Sequence, residues 1–161
     1  MSIDESTLNQ LIGAREIIAK EYFRFKPYLS TSYNKGWNVS PLRDDTSSRK
    51  LTLIHRSKKR TLNCLLMGKT WKIFKNIKNL ENLFFSEFAP QTVSNKLTLY
   101  SECVDRYVFA VSVHGICGHI VGNSDFRSDQ TPLFSWHGKK YFTSYNYSCE
   151  PRVVLIFDIW K

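Results

Sequence analysis

The sequence predicts an α+β fold that is mainly β, a sandwich or a barrel with helices packed outside it. From residue 93 onward, short runs rich in Val, Ile, Phe, Tyr and Thr are separated by turns that contain Gly, Asn and Ser. The last of these runs, 152–160, is almost continuously apolar, as is typical of a strand buried on both faces. Two earlier stretches carry apolar residues at helical spacing, so helices accompany the strands.

The bulk composition restricts the class of protein. With 161 residues, the chain is predicted to form a single domain over 1–161. A hydrophobic content of 42% argues against a disordered chain. No apolar run reaches the ~18 residues that a membrane-spanning helix needs, and the first residues lack the apolar centre of a secretory signal. We therefore expect a cytoplasmic protein with no membrane partner.

The first helix is predicted over residues 2–23. Ser2 and Glu5 have the spacing of a capping box, and Pro27 is expected to stop the helix. The apolar stripe of this helix comprises Leu8, Leu11, Ile12, Ile18 and Tyr22. Residues 28–50 are rich in Ser, Asn and Asp and are predicted to be mostly loop, with one short strand.

The middle of the chain is predicted to hold a hairpin and a second helix. Strands at 51–55 and 61–67 flank a basic turn at 56–60. Thr70 can cap a helix over 70–88, with apolar residues on one broad face and lysines on the other. The later strands are predicted at 95–100, 106–113, 117–121, 132–136, 140–146 and 152–160.

Four motifs, taken in order, resemble those of one known family. The run from Arg152 to Trp160 fits the pattern R-h-x-L-I-h-D-h-W, in which h is apolar. Asp105-Arg106-Tyr107, with the strand after it, resembles a D-R-Y-H segment, and Gly122-Asn123 resembles a Gly-Asp turn. The segment 36–43 resembles an early W-x-x-h-P-L segment. By these motifs, residues 36–161 resemble the aspartyl/asparaginyl β-hydroxylase family.

The resemblance implies a cupin-like barrel, the double-stranded β-helix, over 36–161, with a helical N-terminal extension over 1–35. Members of this family are oxygenases that depend on iron and 2-oxoglutarate. In the family pattern, a metal-binding His stands ten residues before an Arg that holds the carboxylate of the co-substrate. The resemblance implies that Arg152 corresponds to this Arg.

At the positions where the family places its ligands, this chain carries apolar side chains. The metal-binding His is replaced by Phe142, and the proximal metal-binding motif falls at Leu97 and Leu99. The His that helps to hold the co-substrate falls at Val108. Non-haem iron needs two His and usually a carboxylate. We therefore predict a non-catalytic protein with no metal site, no cofactor and no catalytic residue, in which Arg152 is a remnant of the carboxylate-binding site.

Three other interpretations of these residues are open. A divergent hydroxylase would gather iron from other side chains while Arg152 holds the co-substrate. The candidate ligands for such a site are His114, His119, Glu102 and Asp105. Alternatively, the pocket would bind a small carboxylate as a sensor. In a purely structural role, Arg152 would form an ion pair, for which the candidate partners are Asp158, Glu150 and Asp105.

The excess positive charge lies in one segment of the chain. The formal net charge is +9, and the window between Asp45 and Glu81 contains ten Lys or Arg and no acidic residue. Grouped cations attract polyanions. We therefore predict binding of nucleic acid or an acidic protein, with a merely solvated basic face as the alternative. The predicted polyanion-binding residues are Arg56, Lys58, Lys59, Arg60, Lys69, Lys72, Lys75 and Lys78.

The sequence gives only general indications of the biological role. It contains no zinc-finger, helix-turn-helix or RNA-recognition motif, so sequence-specific reading of bases is not expected. Lys and Asn are frequent, as in the AT-rich genomes of many phages. A phage regulator of host transcription or of a host defence, acting in the host cytoplasm, is therefore one role that we expect.

Overall fold

Two antiparallel sheets, with helices against the outer face of the larger one, make up the described structure. The computed structural model describes residues 3–32, 37–39, 48–93, 106–116, 118–137, 140 and 142–160. The helices are α1 (Glu5–Gly13), α2 (Arg15–Ser32), α3 (Thr61–Leu66) and α4 (Gly68–Phe74). The strands are β1 (Trp37–Val39), β2 (Ser48–His55), β3 (Lys58–Lys59), β4 (Leu80–Phe88), β5 (Thr92–Val93), β6 (Arg106–His114), β7 (Gly118–Val121), β8 (Ser124–Arg127), β9 (Leu133–His137), β10 (Phe142–Asn146) and β11 (Arg152–Trp160).

The described strands are divided between a larger and a smaller sheet. The larger sheet has the order β1-β2-β4-β11-β6-β9, with β3 paired to β2. The smaller sheet has the order β5-β10-β7-β8. The two facing sheets form the cupin-like fold that the resemblance implies, and any site of the family's kind would lie in the space between them.

Strand β11 lies inside the larger sheet, where alternate side chains along it face two different cores. It pairs with β4 on one side and with β6 on the other. Val153, Leu155 and Phe157 face the helices, whereas Val154 and Ile156 face the smaller sheet. Every residue of β11 except the last is buried, which confirms the prediction of a strand buried on both faces.

Two hydrophobic cores result from this alternation. The helix-side core, between the larger sheet and the helices, includes Leu11, Ile18, Tyr22, Phe74, Phe85, Phe109 and Phe157. The inter-sheet core, between the two sheets, consists of Phe84, Val108, Ala110, Val121, Phe134, Trp136, Phe142, Val154 and Ile156, with Phe126 packed against it. The central strands β4, β11 and β6 of the larger sheet are therefore covered on both faces.

The N-terminal helical region is divided in two and is longer than predicted. Ser2, the predicted cap, lies outside the described residues, and Asp4 caps α1 by accepting a hydrogen bond from the N–H of Thr7 (2.7 Å). Helix α2 continues through Pro27 to Ser32, so the prediction that Pro27 ends the helix is wrong. Packing of α2 on the sheet outweighs the roughly 3 kcal/mol that a proline costs inside a helix.

The segment 61–67 contains helix α3 and not the predicted strand. Asn63 and Cys64 turn toward β2, where the Asn63 amide donates to the carbonyl of Thr52 (2.7 Å). Over so short a run, the apolar pattern fits a helix as well as a strand. The side-chain bond to β2 is a long-range contact that the local pattern does not contain.

The segment 70–88 is a short helix followed by a strand, so the prediction of one helix is wrong. Helix α4 ends at Phe74, and Thr70 lies inside it instead of capping it. Asn79 adopts the left-handed region (φ 58°), which ends any helical continuation. Strand β4 then inserts between β2 and β11 and is buried on both faces. Its run of apolar residues has helical spacing locally, but pairing with two neighbouring strands decides its conformation.

The other predicted strands agree with the structure to within a few residues. Those at 51–55, 106–113, 117–121, 132–136, 140–146 and 152–160 correspond to β2, β6, β7, β9, β10 and β11. Strands β3, β5 and β8 are not among the predicted strands, and β3 lies within the predicted basic turn at 56–60. The predicted strand at 95–100 lies outside the described residues, as does the predicted boundary between 35 and 36, which stays a prediction. Among the described residues, no helix has the length and apolar composition needed to cross a bilayer.

Replacement of Phe157 by Ala should destabilise the protein by about 3–5 kcal/mol, the usual cost of a large cavity in a core. Phe157 is fully buried, stacks on Phe109 (5.0 Å between ring centroids) and meets Phe74 edge-on (5.1 Å). Urea unfolding measures the loss. As a control, Ile17→Ala on the exposed side of α2 should change stability by less than about 0.5 kcal/mol. Equal effects of the two variants would contradict the helix-side core.

Candidate functional site

Phe142 and Val108, which stand at two of the predicted ligand positions, lie in the inter-sheet core. Phe142 begins β10 in the smaller sheet and is 5% exposed, whereas Val108 in β6 is fully buried. The ring centroid of Phe142 lies 5.3 Å from that of Trp136. Leu97 and Leu99 lie outside the described residues. The two described positions therefore offer hydrocarbon where the resemblance implies imidazoles.

Aromatic rings fill the space beside Phe142. The Phe134 ring stacks on Trp136 at 5.4 Å and on Phe126 at 5.2 Å. The imidazole of His119 lies against the same rings, 4.7 Å from Phe134. These contacts surround His119 with apolar groups, so any charge on it would be poorly solvated.

Arg152 begins β11 and enters the same interior, where it is fully buried. Its Nη1 donates to the main-chain oxygens of Gly118 (3.0 Å) and Tyr145. The guanidinium carbon lies 4.2 Å from the ring centroid of Phe88, a cation–π contact. Carbonyl dipoles and a π face thus stabilise the buried charge. These contacts hold the guanidinium in a fixed position between the two sheets.

His119 links Arg152 to the smaller sheet. Its Nε2 lies 3.3 Å from Nη2 of Arg152, and its Nδ1 lies 2.8 Å from the hydroxyl of Ser144. Because a guanidinium has no acceptor, Nε2 must accept, so Nδ1 carries the proton and donates to Ser144. Burial, and secondarily the charge of Arg152, hold the pKa of His119 well below its ordinary value. His119 is therefore neutral in the folded protein.

The two described ion-pair partners suggested for Arg152, Asp158 and Glu150, contact other groups. Asp158 stands six residues further along the same strand, which is about 20 Å at 3.4 Å per residue, and it lies 3.5 Å from Arg106. The exposed carboxylate of Glu150 lies 3.9 Å from His114. Asp105 is outside the described residues. Arg152 therefore donates to neutral main-chain oxygens, and Asp158 contacts Arg106 instead.

The two described candidates for a divergent iron site are on opposite sides of the larger sheet. His114 contacts the ring of Phe23 on the helix side (4.8 Å), whereas His119 lies between the sheets. Glu102 and Asp105 lie outside the described residues. Within the described ranges, no three His, Cys, Asp or Glu side chains are grouped to hold a metal ion.

A buried polar cluster occupies the other end of β11. Arg106 lies 3.5 Å from both Glu81 and Asp158, and its guanidinium carbon is 3.8 Å from the ring centroid of Trp160. Asp158 also accepts a hydrogen bond from the N–H of Asn82 (2.7 Å). The sequence motifs do not indicate this cluster. Its sequence signal is a charged residue in each of three strands rich in apolar residues: Glu81 in β4, Arg106 in β6 and Asp158 in β11.

The hairpin between β2 and β3 carries the first half of the predicted polyanion-binding residues. Arg56 and Ser57 both have positive φ (49° and 59°), as a two-residue type I′ hairpin turn requires. The N–H of Arg56 donates to the Asn82 side chain (3.0 Å), and that of Ser57 donates to the carbonyl of Glu81 (2.8 Å). These bonds hold a turn that non-glycine residues adopt at a cost. The exposed basic residues here are Arg56, Lys58, Lys59 and Arg60.

Helix α4 and the turn after it carry the second half of these residues. One contact joins the two halves to each other, and Glu21 of α2 fixes the start of α4. The ammonium of Lys59 lies 4.7 Å from the ring centroid of Trp71 in α4. The buried carboxylate of Glu21 in α2 accepts from the N–H groups of Lys69 and Thr70, both at 2.8 Å, at the start of α4. The exposed basic residues here are Lys69, Lys72, Lys75 and Lys78.

We call these eight exposed cations the basic surface. Among the described residues, none of the eight forms an ion pair with a carboxylate. Lys50, from the same acid-free window, instead turns toward the interior, 3.6 Å from the ring centroid of Phe84. Burial lowers the pKa of Lys50, an effect that Asp158 opposes. The charge of the basic surface is therefore available to a partner.

Comparison with known proteins agrees with the sequence motifs. A family model described as aspartyl/asparaginyl beta-hydroxylase matches residues 14–161. The chain belongs to the aspartyl/asparaginyl β-hydroxylase family. Among solved structures, the Cnp3 cupin domain of Schizosaccharomyces pombe is similar at 10% identity, over 71% of this chain and 65% of that chain (TM-score 0.49). KdgF from Halomonas sp. is similar at 11% identity, over 78% of this chain and 86% of that chain (TM-score 0.47). No curated protein matches the sequence.

The iron that the hydroxylase family implies does not fit the described residues of this member. Phe142 has no donor atom, and both ring nitrogens of His119 are engaged, one by Ser144 and one by the guanidinium of Arg152. A cation placed at His119 would also be repelled by that guanidinium. The described part of the interior of this hydroxylase-family chain therefore favours packing over metal binding.

The Arg152→Met variant should lose about 2–4 kcal/mol of stability, because the carbonyls of Gly118 and Tyr145 would remain buried without a donor. Chemical denaturation measures this loss. Arg127→Met is the control, since Arg127 forms an exposed pair with Asp129 and should cost less than about 1 kcal/mol. An Arg152 variant as stable as wild type would contradict the structural role.

The neutral His119 should make the folded protein less stable in mild acid. Its folded pKa lies below the unfolded value of about 6.5, so only the unfolded state takes up the proton in the window between the two. The contribution of His119 to the free energy of unfolding is fully present above pH ~6.5. It is lost as the pH falls below that value, so the free energy of unfolding should decrease by about 1 kcal/mol between pH 7 and pH 5.5. The loss should be absent from the stability–pH curve of His119→Gln, so the difference between the wild-type and variant curves should show it. Parallel curves for the two proteins would refute the assignment.

Proposed function

We propose that this hydroxylase-family member is a non-catalytic binding protein, which uses the barrel as a scaffold and the basic surface to bind a polyanionic partner. The observation that carries the proposal is the packing of Phe142 in the inter-sheet core, at the position of a metal-binding His. Oxygenase chemistry needs an iron site with open coordination positions. Phe142, Val108 and the engaged imidazole of His119 supply none of these at the positions the structure describes.

The basic surface supports the binding role. Its cations come from the hairpin of β2 and β3 and from α4 and the turn after it. They are exposed without carboxylate partners among the described residues. Like charges held together repel one another unless a counter-charge is bound. An anionic partner removes that repulsion and releases counterions, which favours association.

The fold holds the basic surface in a defined shape. The bonds from β4 to Arg56 and Ser57 position the hairpin, and the Glu21 carboxylate positions the start of α4. The contact between Lys59 and Trp71 ties the two elements together. A preordered surface loses less conformational entropy on binding than a flexible charged tail. The phage origin, and the role in host transcription or defence, stay predictions.

Charge reversal tests the proposal. The double variant Lys58→Glu/Arg60→Glu should weaken binding to labelled polyglutamate and to a single-stranded oligonucleotide roughly tenfold or more at low salt, because two attractive charges become repulsive. Fluorescence anisotropy over a salt series measures affinity and salt slope. Lys59 is kept because its stacking on Trp71 also serves the fold.

The matched control is Arg127→Glu/Lys140→Glu, which changes the net charge equally with cations that are not part of the basic surface. Its effect should be small. Equal loss in both double variants, or no binding of either probe by wild type, would refute the role of the basic surface. Stoichiometric iron in the purified protein, or turnover of 2-oxoglutarate above background, would refute the non-catalytic role.

A further inference from the structure

Two leucines on α3 are exposed beside the basic surface. Leu65 is 70% exposed and Leu62 is 40% exposed, a high value for so apolar a side chain. They stand three residues apart and therefore share one face of the helix. The opposite face is fixed, because Asn63 and Cys64 are buried and the Asn63 amide bonds to β2 (2.7 Å). The fold therefore holds both leucines in water.

Cations flank this pair of leucines along the chain. Helix α3 follows Arg60 directly, and Arg60 is itself the N-cap position of the helix. Lys69, in the first turn of α4, lies four residues after Leu65. The contact of Lys59 with Trp71 keeps the hairpin against α4 on the same side. Arg60 and Lys69 thus flank the two leucines, and with Lys59 they make up one mixed cationic and apolar patch.

We propose that this patch binds an acidic segment of another protein, one whose apolar side chains pack on Leu62 and Leu65 while its carboxylates face the cations. The inference rests on the proposed function, since it uses the same basic surface, and it names the class of partner. A phosphate backbone is recognised by charge and hydrogen bonding, and the side chains of Leu62 and Leu65 can supply neither. Burying them against apolar side chains removes them from water.

The described aromatic residues of the patch also favour a protein partner over a nucleic acid. Single-stranded nucleic acids bind without sequence preference by stacking bases on exposed aromatic rings. In this patch, the ring of Trp71 is half-buried, packs against the helix-side core and has the Lys59 ammonium near one face. Leucine offers no comparable stacking surface. The patch therefore matches the alternation of acidic and apolar side chains in a polypeptide.

The test compares three labelled probes by fluorescence anisotropy. The first is a synthetic acidic peptide that contains Leu and Phe, and the second has the same length and charge with Ser in place of each Leu and Phe. The third is a single-stranded oligonucleotide of the same net charge. The first probe should bind about tenfold more tightly than the second. This advantage should persist at high salt, because apolar contacts are not screened.

The Leu62→Ser/Leu65→Ser variant should bind the first probe no better than the second, while its affinity for the second stays near that of wild type. The control is Ile116→Ser/Ile120→Ser, which removes two apolar side chains of 55% and 40% exposure next to and on β7, away from α3. This control should keep the full preference. Circular dichroism and unfolding confirm that each variant is folded.

The outcomes separate this inference from the proposed function. Equal affinity for both peptides, a preference unchanged by the leucine variant, or tighter binding of the oligonucleotide would each overturn the acidic-protein partner and leave the basic surface as a general polyanion site. Absence of binding to all three probes would overturn both. Loss of the preference in Leu62→Ser/Leu65→Ser, with the control unchanged, is the expected result.

Discussion

The burial of β11 on both faces is the constraint on which the rest of the structure depends. One set of its side chains, including Leu155 and Phe157, needs the helices as cover, and the other set, including Val154 and Ile156, needs the smaller sheet. A strand with two apolar faces is stable only between two layers. The helices and the smaller sheet are thus both required by one strand. Arg152, its first residue, is carried into the interior by the same alternation.

In the described interior, apolar side chains occupy the space that a metal site would need. A metal site needs polar donors that converge on an open space, whereas the described part of this interior is filled by aromatic rings and by a guanidinium bound to carbonyls. The same rings that exclude water keep His119 neutral and make Arg152 dependent on main-chain oxygens. Phe142 and Val108, two of the side chains that pack this core, carry no donor atoms. In this member of the hydroxylase family, the described interior between the sheets is a packed core.

On the outside of the protein, the fold positions the cations of the basic surface without pairing them with described carboxylates. Glu21 satisfies main-chain N–H groups at the start of α4, so this carboxylate is used inside the structure and does not pair with the lysines outside. The hairpin turn is likewise held by side-chain and main-chain bonds from β4. The Glu21 carboxylate and the polar groups of β4 thus position the basic surface, while its cations and the two leucines of α3 face solvent. This division of roles is what makes the surface suitable for a partner.

The sequence by itself determined the mainly β class, the doubly buried last strand, most of the later strands and the family, since these follow from apolar runs and ordered motifs. It also located the cations, because charge clustering is visible without coordinates. Tertiary structure decided the rest. Segments 61–67 and 70–88 were assigned wrongly because short apolar runs fit both periods, and pairing of β4 between two strands overrides local preference. The partners of Arg152 come from Gly118, Tyr145 and His119, residues brought near only when the smaller sheet closes over β11. A buried charge is stabilised by the acceptors that folding brings within hydrogen-bond distance. For Arg152 these acceptors lie on strands of the smaller sheet, so their identity depends on the tertiary structure and not on spacing along the chain.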